Sequence, residues 1–163
     1  MAAVVMELVH VFTVFWFISG LAGRQMARVQ AKRATELAGM EAALRFSRLF
    51  DDAMVKPASL LLLGAGVVAG YLKGWPILGP ITGHEPYWLF TALVLFLTPF
   101  TLVPAVYVPR GRRFHLALDA ARQQSAITPQ LTAALRDPVV AMAHAWEWIV
   151  VALITILMIA KPF

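Results

Sequence analysis

Apolar and polar positions fall into long alternating blocks along this chain. Four apolar runs cover about residues 2–23, 57–75, 87–108 and 138–160, and polar, charge-bearing segments separate them. Each run approaches or exceeds the roughly 20 residues that cross a hydrocarbon core of about 30 Å at 1.5 Å per residue. The pattern predicts an all-α integral membrane protein. Its expected architecture is an up-down bundle of four helices with cytoplasmic helical extensions, forming a single membrane domain over 1–163.

The first run, AAVVMELVHVFTVFWFISGLAG, is more than an anchor. It carries Glu7 and His10, and Arg24 follows directly after it. Glu7, His10, Phe17, Gly20 and Arg24 recur at steps of three, four and seven, so they share one side of the helix. Ionisable groups on one side of a membrane helix look into protein or a wet cavity, because lipid gives them no partner. This helix therefore has an inward face.

The second run opens at Pro57, a residue suited to a first helical turn. Gly64, Gly66 and Gly70 thin it, and Gly66 to Gly70 is a GxxxG spacing that permits close helix approach. Packing within the chain is favoured there over a dimer face. The segment KGWPILGPITGHEP has the composition of a turn. In the third run, Pro99 and Pro104 should kink the helix or loosen its hydrogen bonds. The last run follows Asp137-Pro138, and Thr128-Pro129 precedes it as the start of a short polar helix; both read as N-cap plus N1 proline.

The polar segments predict helix as well. Residues 24–56 are mostly strong helix formers with charges of both signs, which suggests solvated extensions bent near Gly39. Phe114, Leu116, Leu118 and Ala121 are expected to form one face of a short helix lying on the membrane surface.

Charge adds an orientation. The segment between the first two runs holds seven Lys and Arg, and that between the last two holds five, whereas Lys73 and Lys161 are the two on the other side. Twelve against two is a strong positive-inside bias. Both termini are expected outside, and both polar segments in the cytoplasm of an inner-membrane protein. The net charge of +5 is thereby explained without nucleic acid, and the lipid bilayer is the expected partner. A 60% hydrophobic content exceeds the roughly 45–50% apolar usage of soluble domains. The absence of cysteine excludes disulfides, iron–sulfur clusters and thiolate zinc. With no basic stretch ahead of Glu7, the first helix reads as retained and not as a cleaved signal.

The candidate chemistry lies in the intramembrane polar residues Glu7, His10, His144 and Glu147. His144 and Glu147 are three apart and share a face, and a pairing with each other or with Arg24 would lower the cost of burying them. A bis-histidine haem is disfavoured by depth. His10 and His144 are expected to differ by roughly 13 Å along the membrane normal at 1.5 Å per residue. His10 with Met158, at similar depth, is the easier haem pair. The alternative is a His10 satisfied by a carbonyl or by a hydroxyl such as Thr98 or Thr101. Glu7 has an equally plain reading as an interfacial residue. No nucleotide-binding loop, catalytic triad or zinc spacing is present.

The stretch LVHVFTVFWFISGLAGRQ resembles the opening helix of HemJ-type protoporphyrinogen oxidases, and LITILMIAKPF resembles their last helix and tail. Over the whole chain the spacing is closer to a bacterial family of predicted four-helix integral membrane proteins of unknown function. The shared features are the early His10, Asp51 and Asp52 before a Pro57-headed helix, Gly74-Trp75, and a terminal LM-x-x-KP. The HemJ likeness implies haem b as a cofactor, with His10 at the ligand position. Two functions follow. The leading one is an accessory or scaffold subunit that docks on other membrane subunits, because no complete active site can be assembled. The alternative is a haem-b redox protein.

Overall fold

The computed structural model describes residues 1–85 and 87–162, so Pro86 of the turn segment and Phe163 of the tail lie outside the described residues. Among the described residues all regular structure is helical. Helices α1 (Ala2–Arg33), α2 (Leu37–Phe50) and α3 (Lys56–Leu72) are followed by the short α4 (Gly79–Thr82). Then come α5 (Trp88–Leu102), α6 (Val108–Gln124), α7 (Pro129–Leu135) and α8 (Pro138–Ala160). Two five-residue π turns, Asp51–Val55 and Val103–Tyr107, join α2 to α3 and α5 to α6. Four helical stretches are long and apolar enough to cross a bilayer. The fold is all-α and of the helical membrane class. The chain forms two compact units, Met1–Trp75 and Pro76–Phe163.

In the first unit α1 packs against α2 and α3. Its buried residues Thr13, Gly20, Leu21, Arg24, Ala27 and Ala31 recur at near-helical spacing and continue well past the apolar run. The inward face read from the sequence is the one that meets the rest of the unit. Glu7 reaches Lys73, His10 lies on Gly66, Gly20 lies on Met54 and Val55, and Arg24 reaches Asp51. The numbers descend on one helix as they rise on the other, the register of an antiparallel hairpin. Close approach depends on Gly20, Gly23 (under the Phe50 ring) and Gly66. A Cβ on Gly20 would come within 2.7 Å of Met54 Cβ, and one on Gly66 within 2.9 Å of His10 Cε1. Gly66 thus serves packing inside the chain, as its GxxxG spacing suggested.

The chain turns between α1 and α2 at Ala34–Glu36, not near Gly39, which lies inside α2. Ala34 and Glu36 are both extended. Lys32 and Arg33 occupy the last turn of α1, where cations favour the helix C-terminus. A three-residue connection suffices for an antiparallel pair.

In the second unit α5 packs against α8 and α6 against α7. The expected caps form. Thr128 Oγ1 accepts from the Leu131 amide at 3.2 Å, and Asp137 Oδ1 accepts from Val139 and Val140 at 2.8 and 3.3 Å. The amphipathic stretch after the third run is not a separate surface helix. It is α6, which continues from the π turn as part of one helical stretch over residues 88–124. Leu118 and Ala121 are buried and Phe114 half-buried, but Leu116 is exposed, because two residues place it about 200° from Phe114.

Both π turns stand beside prolines. Proline lacks an N–H, and its ring clashes with the carbonyl four residues back. For Pro57 that carbonyl belongs to Ala53, and for Pro109 to Ala105; each lies inside a π turn. The Lys56 amide bonds to Asp51 and the Val108 amide to Val103, five residues back in both cases. The wider turn absorbs the proline and keeps the helix continuous. The second helical stretch therefore begins at Leu37, well before Pro57.

Candidate functional site

Each π turn carries a polar side chain that reaches a partner helix. In the first unit, Asp51 Oδ1 accepts from Arg24 Nη1 at 3.0 Å. Arg24 sits directly after the first apolar run, is buried, and binds this carboxylate of its own unit. The neighbouring Asp52 pairs with Lys56 one turn on, at the surface.

In the second unit the site is a closed triangle. Tyr107, the last residue of its π turn, donates its hydroxyl to Glu147 Oε1 at 2.8 Å. His144 Nδ1 lies 3.1 Å from Glu147 Oε2 and 3.2 Å from the Tyr107 hydroxyl. The Tyr107 and His144 rings stack with centroids 5.1 Å apart. With Nδ1 as the donor all three edges are satisfied, and the carboxylate uses both oxygens. His144 lies about 9 Å and Glu147 about 13 Å along α8 from Pro138, at 1.5 Å per residue. The structure thus brings His144 and Glu147 into direct contact. It adds Tyr107, which the sequence marked only as the end of a run. Its one signal was a hydroxyl-bearing aromatic at the polar edge of a membrane segment, a place where such rings are common.

The other candidates have contacts within their own units. Glu7 is half exposed and accepts from Lys73 Nζ at 2.7 Å, and Lys73 also lies 4.8 Å over the Trp75 ring. The His10 ring rests on Gly66 and against the Leu62 backbone, and its Nδ1 is buried with no hydrogen-bond partner among the described residues. Thr98 and Thr101 give their hydroxyls to the carbonyls of Leu95 and Thr98, and Trp146 donates to Thr98 Oγ1 at 3.0 Å. The Nδ1 edge of the His10 ring thus faces the α3 backbone at Gly66. Met158 is half-buried on α8, in the other unit. Among the described residues no group of three or more His, Cys, Asp or Glu is gathered to hold a metal.

These features define a class: a multi-span, all-α membrane protein whose helices are held by buried polar contacts at π turns. Residues 4–162 match the family model of DUF2269, described as a predicted integral membrane protein, and the chain belongs to that family. No curated protein and no solved structure matches it. None of the comparisons supports the likeness to HemJ-type oxidases.

Proposed function

We propose that the protein is a small accessory subunit of a bacterial inner membrane, which docks on a larger membrane complex through the helical hairpin that α1 and α2 form beyond the bilayer. The supporting observation is the length and the clasping of that hairpin. α1 has 32 residues. It therefore measures about 48 Å, roughly 18 Å more than a hydrocarbon core. The excess is packed, with Ala27, Ala31, Met40 and Leu44 buried and the Arg24–Asp51 pair at its base. A rigid projection of this kind presents a preformed surface, which spares a partner the cost of ordering it. The count of twelve basic residues against two supports a cytoplasmic hairpin and outside termini.

The test is photo-crosslinking in intact cells from Arg33 and Glu36 at the hairpin tip. The expected result is one membrane protein in the adducts from both positions, with reciprocal crosslinks from that protein back to the tip. Tip positions that yield no adduct while a probe at the span residue Tyr71 does would overturn the reading. The haem alternative, with His10 and Met158 as ligands, has less behind it, because Gly66 and Leu62 enclose the His10 ring. A Soret band in protein purified from haem-replete cells, lost in His10→Ala, would put it ahead.

A further inference from the structure

Beyond the hairpin tip, α2 carries a second surface with a different chemistry. Ala42, Phe46, Leu49 and Ala53 recur at four, three and four residues and so form one stripe. Phe46 and Leu49 are 59% and 58% exposed. Ala42, Arg45, Phe46 and Leu49 line an open groove of about 440 Å³. Exposed aromatic and aliphatic side chains on a polar extension need a reason, because that segment is not in hydrocarbon.

Depth supplies one. α3 ends at Leu72, and Lys73 caps it beside Glu7. About 20 residues back from Leu72, where a core of about 30 Å ends, is Ala53. Leu49 and Arg48 then lie about 6–8 Å beyond the hydrocarbon, and Phe46 and Arg45 about 10–12 Å beyond it, at 1.5 Å per residue. Leu49 and Arg48 thus stand in the headgroup layer, about 5–7.5 Å thick on each side, and Phe46 and Arg45 stand just beyond it. Charge supplies the other. Arg24, Lys56 and Lys73 of this unit are all held in ion pairs. Arg45 and Arg48 are exposed and take part in none among the described residues. The nearest anions along the stripe's own helical stretch are Glu41, Asp51 and Asp52, and Asp51 is bound to Arg24 and Asp52 to Lys56.

We propose that this face of α2 is a binding site for an anionic phospholipid. The Arg45 and Arg48 guanidiniums hold the phosphate, the Phe46 ring covers the headgroup side, and the first part of an acyl chain runs inward along Leu49 and Ala53. Guanidinium suits the role because its fork matches phosphate oxygens. Its long stem allows the charge to stay at headgroup height. A neutral lipid would leave the two cations unanswered, and a free phosphate would leave the apolar stripe uncovered.

The test uses the full chain in vesicles of phosphatidylcholine containing a few per cent of spin-labelled phosphatidylglycerol or spin-labelled phosphatidylcholine. The expected result is a preference for phosphatidylglycerol that weakens with salt and falls about fivefold for each arginine lost in Arg45→Gln and Arg48→Gln. Lys32→Gln with Arg33→Gln, at the distant tip, should leave the preference unchanged. Leu49→Ser should reduce the immobilised fraction of both lipids while melting like the parent. Equal preference in the parent and in the double arginine variant would overturn the proposal. So would displacement of the labelled lipid by millimolar inorganic phosphate, which would mark a headgroup-sized anion site with no use for the chain. Loss of immobilisation of both lipids on adding a soluble domain of the crosslinked partner would assign the face to protein and overturn it as well.

Discussion

Two regions of this molecule solve one problem with opposite means. Each π turn presents a side chain to a partner helix; in the first unit it is the carboxylate of Asp51, and in the second the hydroxyl of Tyr107. The Asp51 side chain is 32% exposed and its Arg24 partner 8%. His144 and Glu147 are 10% and 11% exposed. Where water reaches one partner, a full ion pair is sustainable, because the exposed carboxylate keeps part of its hydration. Inside the span, bare opposite charges would lose more on desolvation than they regain, unless further hydrogen bonds satisfy them. The second unit supplies three mutual contacts and a ring stack around its carboxylate. The two clasps thus differ in burial, and the more enclosed one carries the larger number of mutual contacts.

The sharpest way to break this comparison is Glu147→Leu. It removes the acceptor of both the Tyr107 hydroxyl and His144 Nδ1 and leaves two buried donors without it. Each such group costs about 1–3 kcal/mol, so a loss of about 3 kcal/mol is expected. Thermal unfolding in detergent measures it. A variant that melts with the parent would mean that the triangle contributes no net stability.

A smaller loss, about 2 kcal/mol, is expected for Asp51→Ala. Breaking a fully buried pair costs about 3–5 kcal/mol, and the exposure of Asp51 reduces that. The double variant Arg24→Met with Asp51→Leu should lie closer to the parent than Asp51→Ala does, since no buried charge is left behind. If the double variant is the least stable of the set, the pair works by more than mutual neutralisation.

Much of this was legible before the structure, and the exceptions have physical causes. The four runs, the continuation of helix into the polar segments, the caps at Thr128 and Asp137, and the inward face of α1 all follow from periodicity and local cap chemistry. Gly66 was legible as a close approach, because GxxxG encodes thinness, but its neighbour was not. Pro57 in the first turn of α3 was legible from proline's fit to that position, whereas the π turn that carries the helix from α2 into α3 was not. Its trace in the sequence is a helix-forming run leading unbroken into the proline. Leu116 was misplaced by counting apolar residues without their angles. The partners of Arg24 and Glu7 depended on which helix packs beside α1, which a single helix face cannot specify. Tyr107 was missed for the same reason, since its partners lie 37 and 40 residues away.

The finest test isolates the one element that distinguishes the second clasp from an ordinary His–Glu pair. Tyr107→Phe keeps the ring and its stack on His144 and removes only the hydroxyl. Losing the bond from that hydroxyl to Glu147 is expected to cost about 1.5 kcal/mol, the low end for a bond to a charged group, because the carboxylate keeps a second partner. The loss should depend little on salt, because an enclosed hydrogen bond is screened much less than an exposed ion pair. Asp51→Ala, which removes a partly exposed ion pair, should lose less relative to the parent as salt rises. Measuring both variants in low and high salt therefore compares the two clasps directly. Parallel salt dependence would mean that Tyr107 acts through the charge of Glu147 and not through its own bond. A loss well above about 3 kcal/mol would mean that the hydroxyl also holds the π turn in shape, and the second clasp would then be a hinge as much as an anchor.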